Sequence, residues 1–104
     1  MDNKLKDKGM DELFEAILCL ENMEECYNFF EDLCTILELK SFSQRLQVAK
    51  MLSEHKVYNE IVSSTGASTA TISRVNRSLN YGCNGYDVVF KRMKEKHGGD
   101  EKDT

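Results

Sequence analysis

The chain has 104 residues, no proline and a formal net charge of −4, which sets a single domain able to bury a modest core. No hydrophobic stretch follows the first lysines to make a secretory signal, and no apolar run is long enough to span a membrane. A cytoplasmic protein without a membrane segment is expected, and Cys19, Cys26, Cys34 and Cys83 suit that compartment as reduced, packed thiols. None of them has C-x-x-C spacing, so no metal site is expected.

Residues 1–9 (MDNKLKDKG) are charged and lack an apolar run, which predicts a disordered N-terminal arm. With no glycine between Gly9 and Gly66, almost nothing interrupts a helix over that span, and no alternating β-branched run competes. The fold class is all-α, with about six helices in one domain over residues 10–96. From Asp11 to about Glu21, Leu13, Phe14, Ile17 and Leu18 follow helical spacing. Asn22 is placed to cap a second helix reaching Leu39, with Tyr27, Phe30, Leu33, Cys34 and Leu37 inward. Phe29, Ile36 and Leu39 add apolar area outside that stripe. Such a surplus is hard to bury in one small subunit and predicts closure against a second copy.

Ser41 or Ser43 is expected to start a third helix, with Phe42, Leu46, Val48, Ala49, Met51 and Leu52 as its core face. Residues 57–80 then form two short helical patterns around SSTGAS. Val57, Ile61 and Val62 precede Gly66, and Ile72, Val75 and Leu79 follow it. Gly66 stands where a tight turn needs positive φ, and Ser68 is placed to cap the second of the two helices. The pattern is a helix-turn-helix. Counting from Tyr58, the apolar places of that motif fall on Ile61, Ala67, Ile72 and Val75. A small residue is usual at the fifth place, where Val62 stands. NYGCNG is a turn cluster, and Asn84 or Gly85 begins a last helix with Tyr86, Val89, Phe90 and Met93 on its apolar face. Lys91, Arg92, Lys94 and Lys96 are expected to crowd its final turns. HGGDEKDT, residues 97–104, is expected to be a disordered tail.

On the second helix of the motif, Ile72, Val75 and Leu79 share one side. Ala70, Ser73, Arg74 and Arg77 lie opposite, with Thr69 and Thr71 at the flanks. Small polar residues and arginines suit the floor and phosphate walls of a major groove. No Asp or Glu occurs from Ile61 to Tyr86. The charge is also split. Residues 1–40 carry 4 basic and 11 acidic side chains, and residues 41–96 carry 9 and 4. That asymmetry turns an acidic half away from an anionic partner. The other reading of the motif is a helical protein-interaction module that keeps the fold without sequence-specific DNA binding. Catalysis has little to work with, because His55 and His97 lack a nucleophile at a telling spacing and no glycine-rich phosphate loop appears. The chain is read as no enzyme, with no catalytic residue and no cofactor.

GASTATISRVNRSLNYG, preceded by SQRLQVAKML, resembles the Trp-repressor superfamily, and within it the YerC/YecD group of Trp-repressor-like proteins. The likeness runs from about Met10 to Met93, with the ATIS-R core at Ala70–Arg74 its specific part. The resemblance implies an intertwined, all-helical homodimer acting as a sequence-specific transcription regulator, a repressor, on a palindromic double-stranded DNA operator. Thr69, Ala70 and Ser73 are expected to face base edges, and Thr71, Arg74 and Arg77 to face phosphates or an effector. Asn59 matches a position against DNA where Trp repressors usually carry a basic residue. The resemblance also implies a small-molecule effector pocket at Gln44, Arg45, Arg74 and Ser78. Trp repressors hold L-tryptophan there between two arginines. The first of these falls on Gln44, and the small residue after the second is Val75. Loss of one guanidinium and crowding by Val75 predict that L-tryptophan does not control this chain.

Overall fold

The computed structural model describes residues 4–102, with the side chains of residues 99–102 left aside. Residues 1–3 of the expected arm and 103–104 of the expected tail lie outside the described residues. Six α-helices follow one another: α1 (Lys8–Leu18), α2 (Met23–Leu33), α3 (Ile36–Ser53), α4 (Tyr58–Thr65), α5 (Thr69–Tyr81) and α6 (Gly85–Lys102). They fall into two compact units, Met1–Leu39 and Lys40–Thr104, and α3 runs from the first into the second.

In the first unit the helix ends are set by side chains. The Asp7 carboxylate accepts from the Met10 amide at 2.7 Å, which starts α1 at Lys8, earlier than its apolar periodicity alone predicts. A carboxylate there satisfies an orphan amide and faces the positive end of the helix dipole. Asn22 caps α2 as expected, accepting from the Glu25 amide at 2.9 Å, and Glu25 accepts in turn from the Glu21 amide at 2.9 Å. Periodicity carries the second helix to Leu39 and starts the third at Ser41 or Ser43. The chain instead leaves helical geometry at Cys34 and re-enters at Ile36. The cause is a reciprocal cap. The Thr35 hydroxyl accepts from the Glu38 amide at 3.1 Å, and the Glu38 carboxylate accepts from the Thr35 amide at 2.8 Å. Two orphan donors satisfied at once outweigh uninterrupted apolar spacing. The bond from the Thr35 amide, reinforced by the Thr35 hydroxyl, holds the Glu38 carboxyl below its ordinary pKa.

Neither α1 nor α2 contains a buried residue. Leu18 is 83% exposed, Tyr27 71% and Leu37 80%, so the stripe expected to face inward is open in the single chain. Cys19 is exposed and Cys26 and Cys34 are half-buried, so these thiols are not the packed core groups expected.

The second unit holds the core. Val48 and Ala49 of α3 meet Ile61, Ala67, Ile72 and Val75, and Met51, Leu52, Leu79, Tyr86 and Phe90 pack around them. Phe42, at the start of the expected core face, is largely exposed. α3 closes with His55 at positive φ, its amide donating to Leu52 and that of Lys56 to Met51. This is a Schellman end with histidine in the glycine place. Asn84 takes the left-handed position before α6. That helix continues through His97 and Gly98 to Lys102, into the stretch expected to be a loose tail. Glycine weakens a helix but removes no donor, unlike proline. Lys91, Arg92, Lys94 and Lys96 therefore lie within α6 rather than in its last turn. Among the described residues no helix is long and apolar enough to cross a membrane.

Candidate nucleic-acid interface

α4, the turn and α5 form the helix-turn-helix. Gly66 ends α4 at φ 71° and its amide donates to Val62 at 2.9 Å. That left-handed conformation is open to glycine and costly for other residues. Thr65 ties the turn to itself. Its hydroxyl donates to the Ile61 carbonyl at 2.7 Å and accepts from the Ala67 amide at 3.1 Å. Ser68 caps α5, accepting from the Thr71 amide at 3.1 Å, and its hydroxyl donates to Thr71 Oγ1 at 3.1 Å. The four apolar places of the motif, Ile61, Ala67, Ile72 and Val75, are all buried. Val62 lies at the surface, 38% exposed, which is why the fifth place can hold more than a small residue.

Burying Ile72 and Val75 turns the opposite side of α5 outward. Thr69, Ala70, Ser73, Arg74 and Arg77 are exposed, and Thr71 is half-buried with its hydroxyl engaged in the cap. Asn59 is exposed in the first turn of α4. The outward face of α5 thus carries two guanidinium groups, short hydroxyls and a methyl. The stretch from Ile61 to Tyr86 contains no carboxylate to oppose them. Such a face matches an anionic groove: guanidinium for phosphate or guanine, hydroxyls for base edges or phosphate, methyl for thymine.

Two residues of the expected effector pocket, Gln44 and Ser78, line different hollows. Gln44 lines a hollow of about 460 Å³ with Lys40, Ser43, Gln47, Ser64 and Thr65, and its Nε2 donates to the Thr65 carbonyl at 3.1 Å. Ser78 lines a different, more apolar hollow with Leu46, Cys83, Tyr86 and Val89. The Arg45 guanidinium sits 5.2 Å from the centre of the Phe42 ring, a cation–π contact within α3. Arg74 is exposed on α5 with Thr69, Ala70, Ser73 and Arg77. The Gln44–Thr65 bond has no signature in the sequence, since it joins residues that helical spacing does not relate. At Gly82 a Cβ would collide with the Ser78 carbonyl oxygen.

Comparison with known proteins adds three findings. Residues 8–94 match the family described as Trp repressor protein. The protein YerC of Bacillus subtilis (strain 168) is 56% identical over 93 residues, spanning 89% of each chain. The crystal structure of a TrpR like protein from Eubacterium eligens ATCC 27750 is similar with a TM-score of 0.85 at 62% identity, covering 88% of this chain and 95% of that one.

Proposed function

This chain belongs to the Trp repressor protein family, and from that premise we propose that it is a sequence-specific DNA-binding regulator, a repressor, working as a homodimer. The observation that carries the reading is the outward face of α5, where Thr69, Ala70, Ser73, Arg74 and Arg77 stand exposed in a stretch free of carboxylates. Thr69, Ala70 and Ser73 are assigned to base edges. Arg74 and Arg77 are assigned to phosphates, Thr71 and Asn59 to the flanking backbone.

The homodimer is supported by the apolar side chains left open in the first unit. Phe14, Leu18, Met23, Tyr27, Leu33, Ile36 and Leu37 are all exposed in the single chain. Fully burying an aliphatic or phenyl side chain of this kind is worth roughly 1.5–3 kcal/mol, so a chain that left them in water would forgo that stabilisation in its first unit. A two-fold dimer presents its two α5 helices to successive major grooves about 34 Å apart, as helix-turn-helix dimers do, Trp repressors among them. The operator is then a rough palindrome.

L-tryptophan is not the regulator in this reading. Gln44 cannot supply a planar cation, and its amide is already engaged by the Thr65 carbonyl. DNA binding is either ligand-free or governed by another small molecule. A mobility assay over genomic fragments, repeated across salt concentrations, tests the function. Binding confined to a few fragments and weakened steeply by salt is expected. No binding even at low salt would make the fold a protein-interaction module instead.

A further inference from the structure

Apolar packing holds the core of the second unit, but it is non-directional and leaves neighbouring helices free to slide by small amounts. The orientation of the helix-turn-helix on α3 needs a directional contact. Val48 and Ala49 supply the apolar contact from α3. One turn before Val48, and so on the same face of the helix, stands Gln44. Its Nε2 donates to the Thr65 carbonyl at 3.1 Å across 21 positions of sequence, in a half-buried setting. The acceptor is well chosen. Thr65 is the last residue of α4, and its carbonyl is among those that a helix end leaves without an internal partner. Its hydroxyl already closes the turn on Ile61 and Ala67. The same residue thus ties the turn internally and ties it to α3. Thr69, the first residue of α5, follows four positions later.

We propose that Gln44 is the positioning residue of the DNA-binding unit. Through Thr65 it sets the register of the turn on α3, and through the turn it aims Thr69, Ala70 and Ser73. It touches no nucleic acid itself. The proposal rests on the DNA-binding reading for its consequence, while the tether itself can be tested without DNA. Base-edge hydrogen bonds require close placement, whereas arginines on flexible stems reach phosphates from several orientations. Loss of the tether therefore harms discrimination more than attraction.

The test uses the full chain with Gln44→Leu, which keeps the bulk and removes the donor, and Gln44→Glu, which sets an acceptor against an acceptor. Binding of the preferred fragment and of a random duplex is measured across salt, alongside thermal unfolding. For Gln44→Leu the preference for the specific fragment should fall about tenfold while the salt slope stays that of the parent. Gln44→Glu should behave likewise at neutral pH and regain preference on acidification, because a protonated carboxyl again donates to the Thr65 carbonyl. A preference unchanged within about twofold in a folded Gln44→Leu protein would overturn the proposal. Backbone amide NMR shifts, recorded without DNA, separate the tether from the function. In Gln44→Leu they should move from Thr65 through Ser73. Shifts confined to α3 would overturn the tether whether or not the parent chain binds DNA.

Discussion

Single residues divide by whether their task lies in the backbone or in the side chain. Gly66 has open space where a Cβ would go, yet its φ of 71° is one that branched side chains avoid. Gly66→Val is expected to cost about 1–3 kcal/mol in chemical denaturation purely through backbone strain. Gly82 is the opposite case. Its φ of −89° is ordinary, but a Cβ there would meet the Ser78 carbonyl oxygen. Gly82→Ala should destabilise by on the order of 1 kcal/mol or more, with faster amide exchange at the end of α5. Arg77 differs from both because it is exposed and supports no neighbour in the fold. Arg77→Ala should leave stability intact and weaken all duplexes alike, lowering the salt slope by about one unit. An unchanged slope would take Arg77 out of the interface.

Helices α1, α2, α3 and α5 begin where a side chain closes the first turn, and the α2–α3 break shows how strongly. Thr35 and Glu38 interrupt an apolar pattern that otherwise continues from Phe30 through Leu33 to Leu37. Removing the hydroxyl by Thr35→Ala should cost about 1 kcal/mol and let α2 and α3 approach a continuous helix, visible as helical backbone NMR shifts at Cys34 and its neighbours in place of the extended ones. Glu38 adds a pH signature. Its carboxyl is held below the ordinary value by bonds from Thr35 made to the ionised form. The cap is therefore fully effective above the ordinary carboxylate range and is lost as pH falls through the lowered value. Acid titration monitored at the Thr35 amide by NMR should show that release, and Glu38→Gln should flatten it.

At the scale of the molecule, the described residues of the second unit hold a buried core, whereas α1 and α2 of the first unit bury no residue. Light scattering at micromolar concentration is expected to give twice the 11.9 kDa chain mass. A stable folded monomer would remove the dimer and with it the paired-groove geometry. Calorimetric titration with L-tryptophan should show no micromolar binding, and DNA affinity should not change on adding it. Tryptophan-dependent DNA binding would show that Gln44 substitutes for a guanidinium after all.

Much of this was legible in the amino-acid sequence because it is local. The helix-turn-helix rests on Gly66, the Ser68 cap and four apolar places whose spacing is that of two helices around one turn, and all four of those places are buried. The outward set on α5 follows from the same periodicity, since burying one side of a helix exposes the other. The T-x-x-E cap at Thr35 was also written in the sequence, but it competes with a strong apolar stripe, and periodicity alone cannot weigh a hydrogen bond against it. What only the tertiary structure decided is long-range. Nothing in helical spacing relates Gln44 to Thr65 or lifts Val62 to the surface. Those contacts depend on how one helix lies across another, and an apolar pattern specifies which face is buried without specifying the angle at which it meets its neighbour.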